Sequence, residues 1–193
     1  STIRLENMRL TEKVHHILRN HLHEGDQAID ATAGNGYDTI FLAEQVGLSG
    51  KVIAIDIQDS AIRSTGEKLD STGLIDRVKL VTDDHATALG KLIEANREKI
   101  AAITFNLGYL PGSDKRVQTN AKSTKEALAA SIQLLSSGGC LSVTAYRGHS
   151  GGTAEAETVE AFMRKSQCEG HAVDCFEPES SNSPPILWLL KKS

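Results

Sequence analysis

The chain has 193 residues, of which 39% are hydrophobic and 4% aromatic, with four prolines and a formal net charge of −4. That length suits one α/β domain with a full core, and the composition argues against disorder; no apolar stretch approaches the ~20 residues that span a bilayer, which argues against a membrane protein. The acidic balance counts against a protein that grips long stretches of nucleic acid through phosphates, although a local basic patch matters more than the total.

From the N-terminus, Leu10, Val14, Ile17, Leu18 and Leu22 recur at helical spacing within residues 5–23. With Glu6, Arg9, Glu12 and Lys13 this segment reads as a charged amphipathic helix and not a secretory signal, so the expected compartment is the cytoplasm. Gly25 and Asp26 turn the chain into a short strand over 27–31. A helix over 37–46, with Ile40, Phe41 and Ala43 inward, precedes a strand over 51–56, and a crossover helix over 60–69 leads to a strand over 78–82. A short helix over 86–95 precedes the apolar strand 100–105. The next helix, 123–135, is expected to stop at Gly138 and Gly139, before a strand over 140–145. A helix over 153–166 and two β segments, 171–176 and 186–190, complete the pattern.

Regular alternation of strands and helices predicts a doubly wound, mostly parallel, seven-stranded sheet. The two final β segments, with Asn182-Ser183-Pro184-Pro185 between them, predict a hairpin with one strand antiparallel at or near the sheet edge. Residues 1–193 read as a single α/β domain, with 1–24 as an N-terminal helix packing on it. Cys140, Cys168 and Cys175 are odd in number and read as buried free thiols of a reducing compartment. No CxxC pair is present, and no zinc site is expected.

Two junctions carry the chemistry. Asp30-Ala31-Thr32-Ala33-Gly34-Asn35-Gly36 links the first strand to its helix, where glycines let the backbone approach a ligand; a plain glycine turn is the alternative. The dinucleotide fingerprint wants a third glycine where Thr39 stands, and no phosphate loop is present. Asp56, about twenty residues on, ends the second strand, where an acidic side chain accepts the hydroxyls of a ribose. Asp83-Asp84-His85 ends the third, where a carboxylate beside a ring suits an adenine. Three such tips make an adenosine pocket that fits S-adenosylmethionine, with its amino-acid end and sulfonium near Asp30 and the loop amides. Asp38 and Thr39 read either as part of that pocket or as first-turn residues favoured by the helix dipole.

The second junction is Asn106-Leu107-Gly108-Tyr109-Leu110-Pro111-Gly112, which follows an apolar strand directly. In open α/β sheets the ligand crevice lies at the carboxyl ends of the strands. A neutral carboxamide there can accept a hydrogen bond from an amino group while the aromatic ring packs on a flat substrate, which suits methyl transfer to nitrogen. The alternative is a tight turn with Gly and Pro for backbone reasons. Lys115, Arg116, Lys122 and Lys125, with Arg147, form either a basic patch or a solvated face.

These segments resemble a class I S-adenosylmethionine-dependent methyltransferase, and more narrowly the small bacterial family long labelled rRNA methylases. The resemblance covers almost the whole chain. It is carried by DATAGNGYDT (30–39), AIDIQ (54–58), Asp84-His85, FNLGYLPGSDK (105–115), YRGHSGG (146–152) and NSPP (182–185). Characterised members of that family methylate the aminomethyl group of 5-aminomethyl-2-thiouridine at the tRNA wobble position. The resemblance implies cofactor contacts by Asp30, Asn35, Gly36, Asp38, Thr39, Asp56, Gln58, Asp84 and His85, with Asn106 facing both cofactor and acceptor. With the resemblance, Tyr146 and His149 are the favoured substrate contacts, and His15 also matches on the first helix, where a surface or capping role is the alternative; Tyr109, Lys115, Arg116, Arg147 and Gly151 are further candidate substrate contacts. Two positions depart from the pattern: Ala33 stands where many relatives carry Met, and Arg147 where His or Tyr is frequent.

The expected activity is therefore N-methylation of that wobble aminomethyl group, with S-adenosylhomocysteine as by-product, the tRNA anticodon stem-loop as partner, a homodimer as the assembly, and no metal. Asn106, His149 and Tyr146 are the expected catalytic group: Asn106 orients an N–H of the amine, and His149 or a water chain removes the proton. The alternatives are an rRNA or small-molecule amine methyltransferase of the same fold, and a regulatory module that holds S-adenosylmethionine without using it.

Overall fold

The computed structural model describes residues 8–95, 99–108, 120–147, 151–178 and 184–193. The chain runs α1 (Leu10–His21), β1 (Gln27–Asp30), α2 (Tyr37–Gln45), β2 (Lys51–Asp56), α3 (Asp59–Ser71), β3 (Val78–Thr82) and α4 (His85–Glu94). It continues with β4 (Ile100–Leu107), α5 (Ala121–Leu134), β5 (Leu135–Ala145), α6 (Gly152–Cys168), β6 (Ala172–Phe176) and β7 (Ile186–Lys191). The strands form one seven-stranded sheet in the order β3-β2-β1-β4-β5-β7-β6. β1 to β5 are mutually parallel, and β7 lies antiparallel between β5 and β6. The mostly parallel, doubly wound expectation is met, and the antiparallel strand stands one place in from the edge.

Period-two alternation sorts the strand residues into two cores. Ile29, Ile53, Ile55, Ile103, Phe105, Leu141 and Val143 pack with Leu89 of α4, Leu128 of α5 and Val159 and Met163 of α6. Their neighbours Ala28, Val52, Ala102 and Cys140 pack with Val14 and Leu18 of α1, Phe41 and Leu42 of α2 and Leu69 of α3. On β4 the alternation therefore aims the even-numbered positions, Ala102, Thr104 and Asn106, at the side covered by α1 and α2.

Helix starts follow local chemistry. α1 begins at Leu10, where the Glu12 carboxylate accepts the Arg9 backbone N–H at 3.2 Å. Asn120 caps α5 by accepting the Ser123 N–H at 3.0 Å.

Two differences from the sequence expectation bear on the site. Gly138 and Gly139 do not follow a helix that ends at 135; α5 stops at Leu134 and the glycines lie within β5. There they exchange backbone hydrogen bonds with Lys192, whose Nζ donates to the carbonyls of Ile132 and Leu135, so the C-terminal end of the chain caps α5. β4 also runs two residues past Phe105, pairing Asn106 with Thr144 and Leu107 with Ala145, so Asn106 sits in the ladder itself. All three cysteines are free, but only Cys140 is buried; Cys168 and Cys175 are exposed, because the short apolar runs around them lie at a helix end and on the edge strand. Among the described residues no helix is long and apolar enough to cross a membrane.

Candidate active site

The sheet order reverses between β1 and β4, and the carboxyl ends of these neighbours define the crevice of a doubly wound sheet. Two backbone bonds tie the tips: Ala31 N–H to Thr104 O at 2.9 Å and Tyr146 N–H to Leu107 O at 2.8 Å. The glycine loop leaves β1 here. Gly36 has φ +83°, and a Cβ on it would fall 3.1 Å from Thr65 Cα, so the loop is seated on α3 and only glycine fits. Lys68 straps the outside, donating to Asn35 O at 2.6 Å with its Nζ 4.3 Å from the Tyr37 ring centroid.

Beneath the loop Asp30 is completely buried. It accepts from Thr39 Oγ1 at 2.6 Å and from Thr32 N–H at 3.2 Å. Burial, then the charge of Asp38, pushes its pKa up to about 7, against the pull of those two hydrogen bonds.

At the tip of β2, Asp56 accepts Gly34 N–H on Oδ2 and Gln58 N–H on Oδ1, both at 2.9 Å. A carboxylate offers about four acceptor positions, so two remain for hydroxyl groups. At the tip of β3, Asp84 is the cap of α4: Oδ1 accepts from Ala86 N–H at 2.9 Å and Thr87 N–H at 3.2 Å, and Oδ2 from Ser123 Oγ. Burial pushes this carboxyl up, but hydrogen bonds from Ser123, Thr87 and Ala86 and the neighbouring His85 outweigh it and hold it below the usual range. The His85 ring is only 4% exposed and meets Phe105 edge-on at 5.6 Å. Burial lowers its pKa against the opposing pull of Asp84 and Asp56, and its Nε2 has no partner among the described residues. Asp84 and His85 thus stand at the tip of β3, the carboxylate turned to the helix and the ring into the core.

Asn106 is fixed twice. Its backbone N–H donates to Thr32 Oγ1 at 2.6 Å, and its side-chain Nδ2 donates to Asp38 Oδ2 at 2.6 Å. The other oxygen of Asp38 lies 2.6 Å from His15 Nε2, and the His15 ring lies flat on Phe41 at 3.9 Å and 3°. An ionised carboxylate only accepts, so Asp38 selects the orientation of the Asn106 amide that leaves Oδ1 on the opposite side as an acceptor, without a partner among the described residues. Behind this pair lies a small pocket whose lining includes Thr11, Val14, Asp38, Thr104, Asn106 and Thr144.

On the acceptor side Tyr146 follows β5 and is 43% exposed; burial of its inner part, then Asp38, raises its pKa. Gly108 packs against it so closely that a Cβ would lie 2.8 Å from Tyr146 Cβ. Arg147 turns away: its Nε and Nη2 donate to Pro184 O at 2.9 and 2.7 Å, and Nη2 also to Glu177 at 2.8 Å. Gly151 stands at the start of α6 with φ +82°. Tyr109, Lys115, Arg116 and His149 lie outside the described residues. Thr32, Phe41, Lys68 and Ser123 were not singled out from sequence. Thr32 lay inside the glycine-loop motif and was within reach of such a reading, whereas the other three carry no motif of their own. No group of three potential metal ligands occurs among the described residues.

A glycine loop after β1, acidic tips on β2 and β3, and a carboxamide on β4, all in a seven-stranded sheet with an antiparallel β7, define a class I methyltransferase. More particularly, the chain belongs to the family described as "Putative rRNA methylase", whose model matches residues 52–191. A second model, that of protein-L-isoaspartate(D-aspartate) O-methyltransferase, matches residues 6–91. An Arabidopsis thaliana protein described as a chloroplastic tRNA (mnm(5)s(2)U34)-methyltransferase is 40% identical over 160 residues, 79% of this chain and 58% of that one. The chain thus spans under two thirds of that relative's length. A solved Clostridium thermocellum structure described as a "putative rRNA-methylase" is 36% identical with a TM-score of 0.89, covering 96% of this chain and 98% of that one. A Streptococcus mutans protein described as "a putative methyltransferase", solved in complex with SAH, is 34% identical with a TM-score of 0.84, covering 96% and 99%.

Proposed function

We propose that the protein is an S-adenosylmethionine-dependent tRNA methyltransferase that N-methylates the aminomethyl group of 5-aminomethyl-2-thiouridine at wobble position 34, giving 5-methylaminomethyl-2-thiouridine. The observation that carries this reading is the Asn106 carboxamide, held by Thr32 and Asp38 at the β1/β4 switch point with its oxygen left to accept an N–H. The Arabidopsis relative supports the choice of substrate.

The residues fit the cofactor. Asp56 keeps two acceptor positions for ribose hydroxyls, Asn35 and Gly36 open the loop to close approach, and Asp30, backed by Thr39, with Asp38 offers negative charge to a cationic donor. Gln58 starts α3 beside the Asp56 tip, and Asp84 with His85 shapes the end over β3. When bound, S-adenosylmethionine supplies an electrophilic methyl group on sulfur. The protein's own task is alignment, since an in-line displacement gains most from a held geometry. An alkylamine is mostly protonated near neutral pH, and desolvation in the crevice favours its neutral form. Asn106 Oδ1 accepts one N–H and turns the lone pair toward the donor, Tyr146 forms the wall on the acceptor side, and His149 or a water chain takes the proton.

The same reading takes the anticodon stem-loop as partner and a cytoplasmic homodimer as the working form, the second copy adding basic surface to an acidic chain. The rRNA reading stands second, favoured by the family's description. The test is incubation with labelled S-adenosylmethionine and tRNA lacking the terminal methyl, with the product nucleoside identified by mass. Label on the wobble nucleoside supports the proposal; label only in rRNA or a free amine, or none at all, rejects it.

A further inference from the structure

We propose that His15 on α1 is a positioning residue, acting through Asp38 to hold the Asn106 carboxamide oxygen toward the acceptor amine. This rests on the role given to Asn106 above, and it replaces the direct substrate contact expected of His15 from sequence.

Three elements meet in one chain of contacts. His15 from α1 reaches Asp38 Oδ1 at 2.6 Å, and Asp38 from α2 receives the Asn106 amide of β4 on Oδ2 at 2.6 Å. Turned over, an asparagine amide would present its N–H₂ to the acceptor, exchanging an acceptor for a donor within nearly the same volume. A stationary carboxylate prevents this, because it cannot donate while ionised. The charge of Asp38 is also felt by the buried Asp30, whose carboxyl it pushes up. Besides the Asn106 amide on Oδ2, the partner of Asp38 among the described residues is His15 Nε2 on Oδ1. That ring donates from Nε2 whether it carries one proton in this tautomer or two.

His15 is itself prevented from turning. Its ring stacks in parallel on Phe41, and Arg19 approaches the same Phe41 ring at 5.6 Å. Thr11, one helical turn before His15, shares its face and lines the crevice behind Asn106. One turn later Leu18, and a turn beyond it Leu22 at the end of α1, are buried in the core. The same helix face thus changes from apolar to polar where it passes from the sheet interior to the strand tips, which places α1 in the site as well as on the domain.

The test uses the full chain with four variants: His15→Phe, which keeps the stack on Phe41 but lacks the donor; His15→Gln, which can donate but cannot titrate; Asp38→Asn; and the His15→Phe/Asp38→Asn double variant. Single-turnover methyl transfer to tRNA carrying the aminomethyl group, KM for that tRNA, and S-adenosylmethionine affinity are measured. The Asn106 side-chain N–H₂ resonances of the ligand-free protein, labelled at asparagine nitrogen, supply an independent readout. Loss of a charge-assisted hydrogen bond predicts a fall in kcat of about 10- to 100-fold for His15→Phe, with KM and cofactor affinity within about 3-fold. His15→Gln recovers most of that loss. In the Asp38→Asn background, His15→Phe costs less than about 2-fold more, because both act through one carboxylate. The Asn106 resonances of His15→Phe move toward those of Asp38→Asn.

Wild-type kcat in His15→Phe, an equal loss in both backgrounds, or a rise in KM alone would overturn the proposal. If the wild type transfers no methyl to this tRNA, the functional reading falls, and the Asn106 resonances still decide whether His15 holds the amide: unchanged resonances reject it.

Discussion

Thr39 Oγ1 donates to Asp30 Oδ2 at 2.6 Å, and both groups are sealed from solvent beneath the glycine loop. The bond only partly offsets burial and the charge of Asp38, so the Asp30 carboxyl titrates at about 7 instead of 3.8. In that window the folded chain holds a proton the unfolded chain has released, so stability present at low pH is lost as the pH rises through about 7. For the ligand-free protein, Asp30→Asn is expected to remove this slope and to raise the thermal midpoint at pH 8 relative to wild type, as read by calorimetry. Cofactor affinity shows the opposite sign: it strengthens as pH rises through about 7 in wild type, with proton release in calorimetric titrations. It is about 10-fold weaker and flat in Asp30→Asn. A wild-type affinity independent of pH from 6 to 8 would contradict this.

Gly108 has φ +151° and leaves no room beside Tyr146 Cβ. Gly108→Ala is therefore expected to displace the Tyr146 ring and strain the end of β4 together. Transfer should fall about 10-fold or more at a stability cost of about 1–2 kcal/mol, the size of an ordinary backbone mismatch. Kinetics and a denaturant series on one preparation separate the two. Loss of stability with unaltered kcat would show that Tyr146 does not form the acceptor wall.

The strand–loop–helix setting made Asp30, the glycine loop, Asp56 and Asn106 legible before any coordinates. Each stands at the end of an apolar run, where topology alone sends it to the crevice. What pattern does not carry is the direction of a side chain once several partners compete for it. Asp84 sits where an adenine contact was expected, yet its oxygens serve the α4 amides and Ser123, which is 39 positions away. Gly138 and Gly139 read as a helix stop because two glycines interrupt apolar periodicity. Their bonds run to Lys192, just past the end of β7 and far along the chain. His15 had an ambiguous role, since its helical phase does not reveal that Phe41 stacks on its ring face and Asp38 meets its Nε2 edge.

Arg147 makes the same point on the acceptor side. Expected to meet the substrate, its guanidinium holds Pro184 O and Glu177, at the two ends of the connection between β6 and β7. Arg147→Ala is expected to lower stability by about 1–2 kcal/mol, since the ion pair is partly exposed and one carbonyl loses its donors. The KM for tRNA should change less than about 3-fold. Urea unfolding and steady-state kinetics check this, and a large KM rise at unchanged stability would return Arg147 to the substrate.

The most direct measurement is single-turnover methyl transfer by Asn106→Ala, on cofactor-saturated protein and tRNA carrying 5-aminomethyl-2-thiouridine. The geometry around Asp38 and Thr32 predicts a rate at least about 100-fold below wild type, with S-adenosylmethionine affinity within a few-fold, because the lost group aligns the amine. A variant that methylates the wobble nucleoside at the wild-type rate would contradict the account.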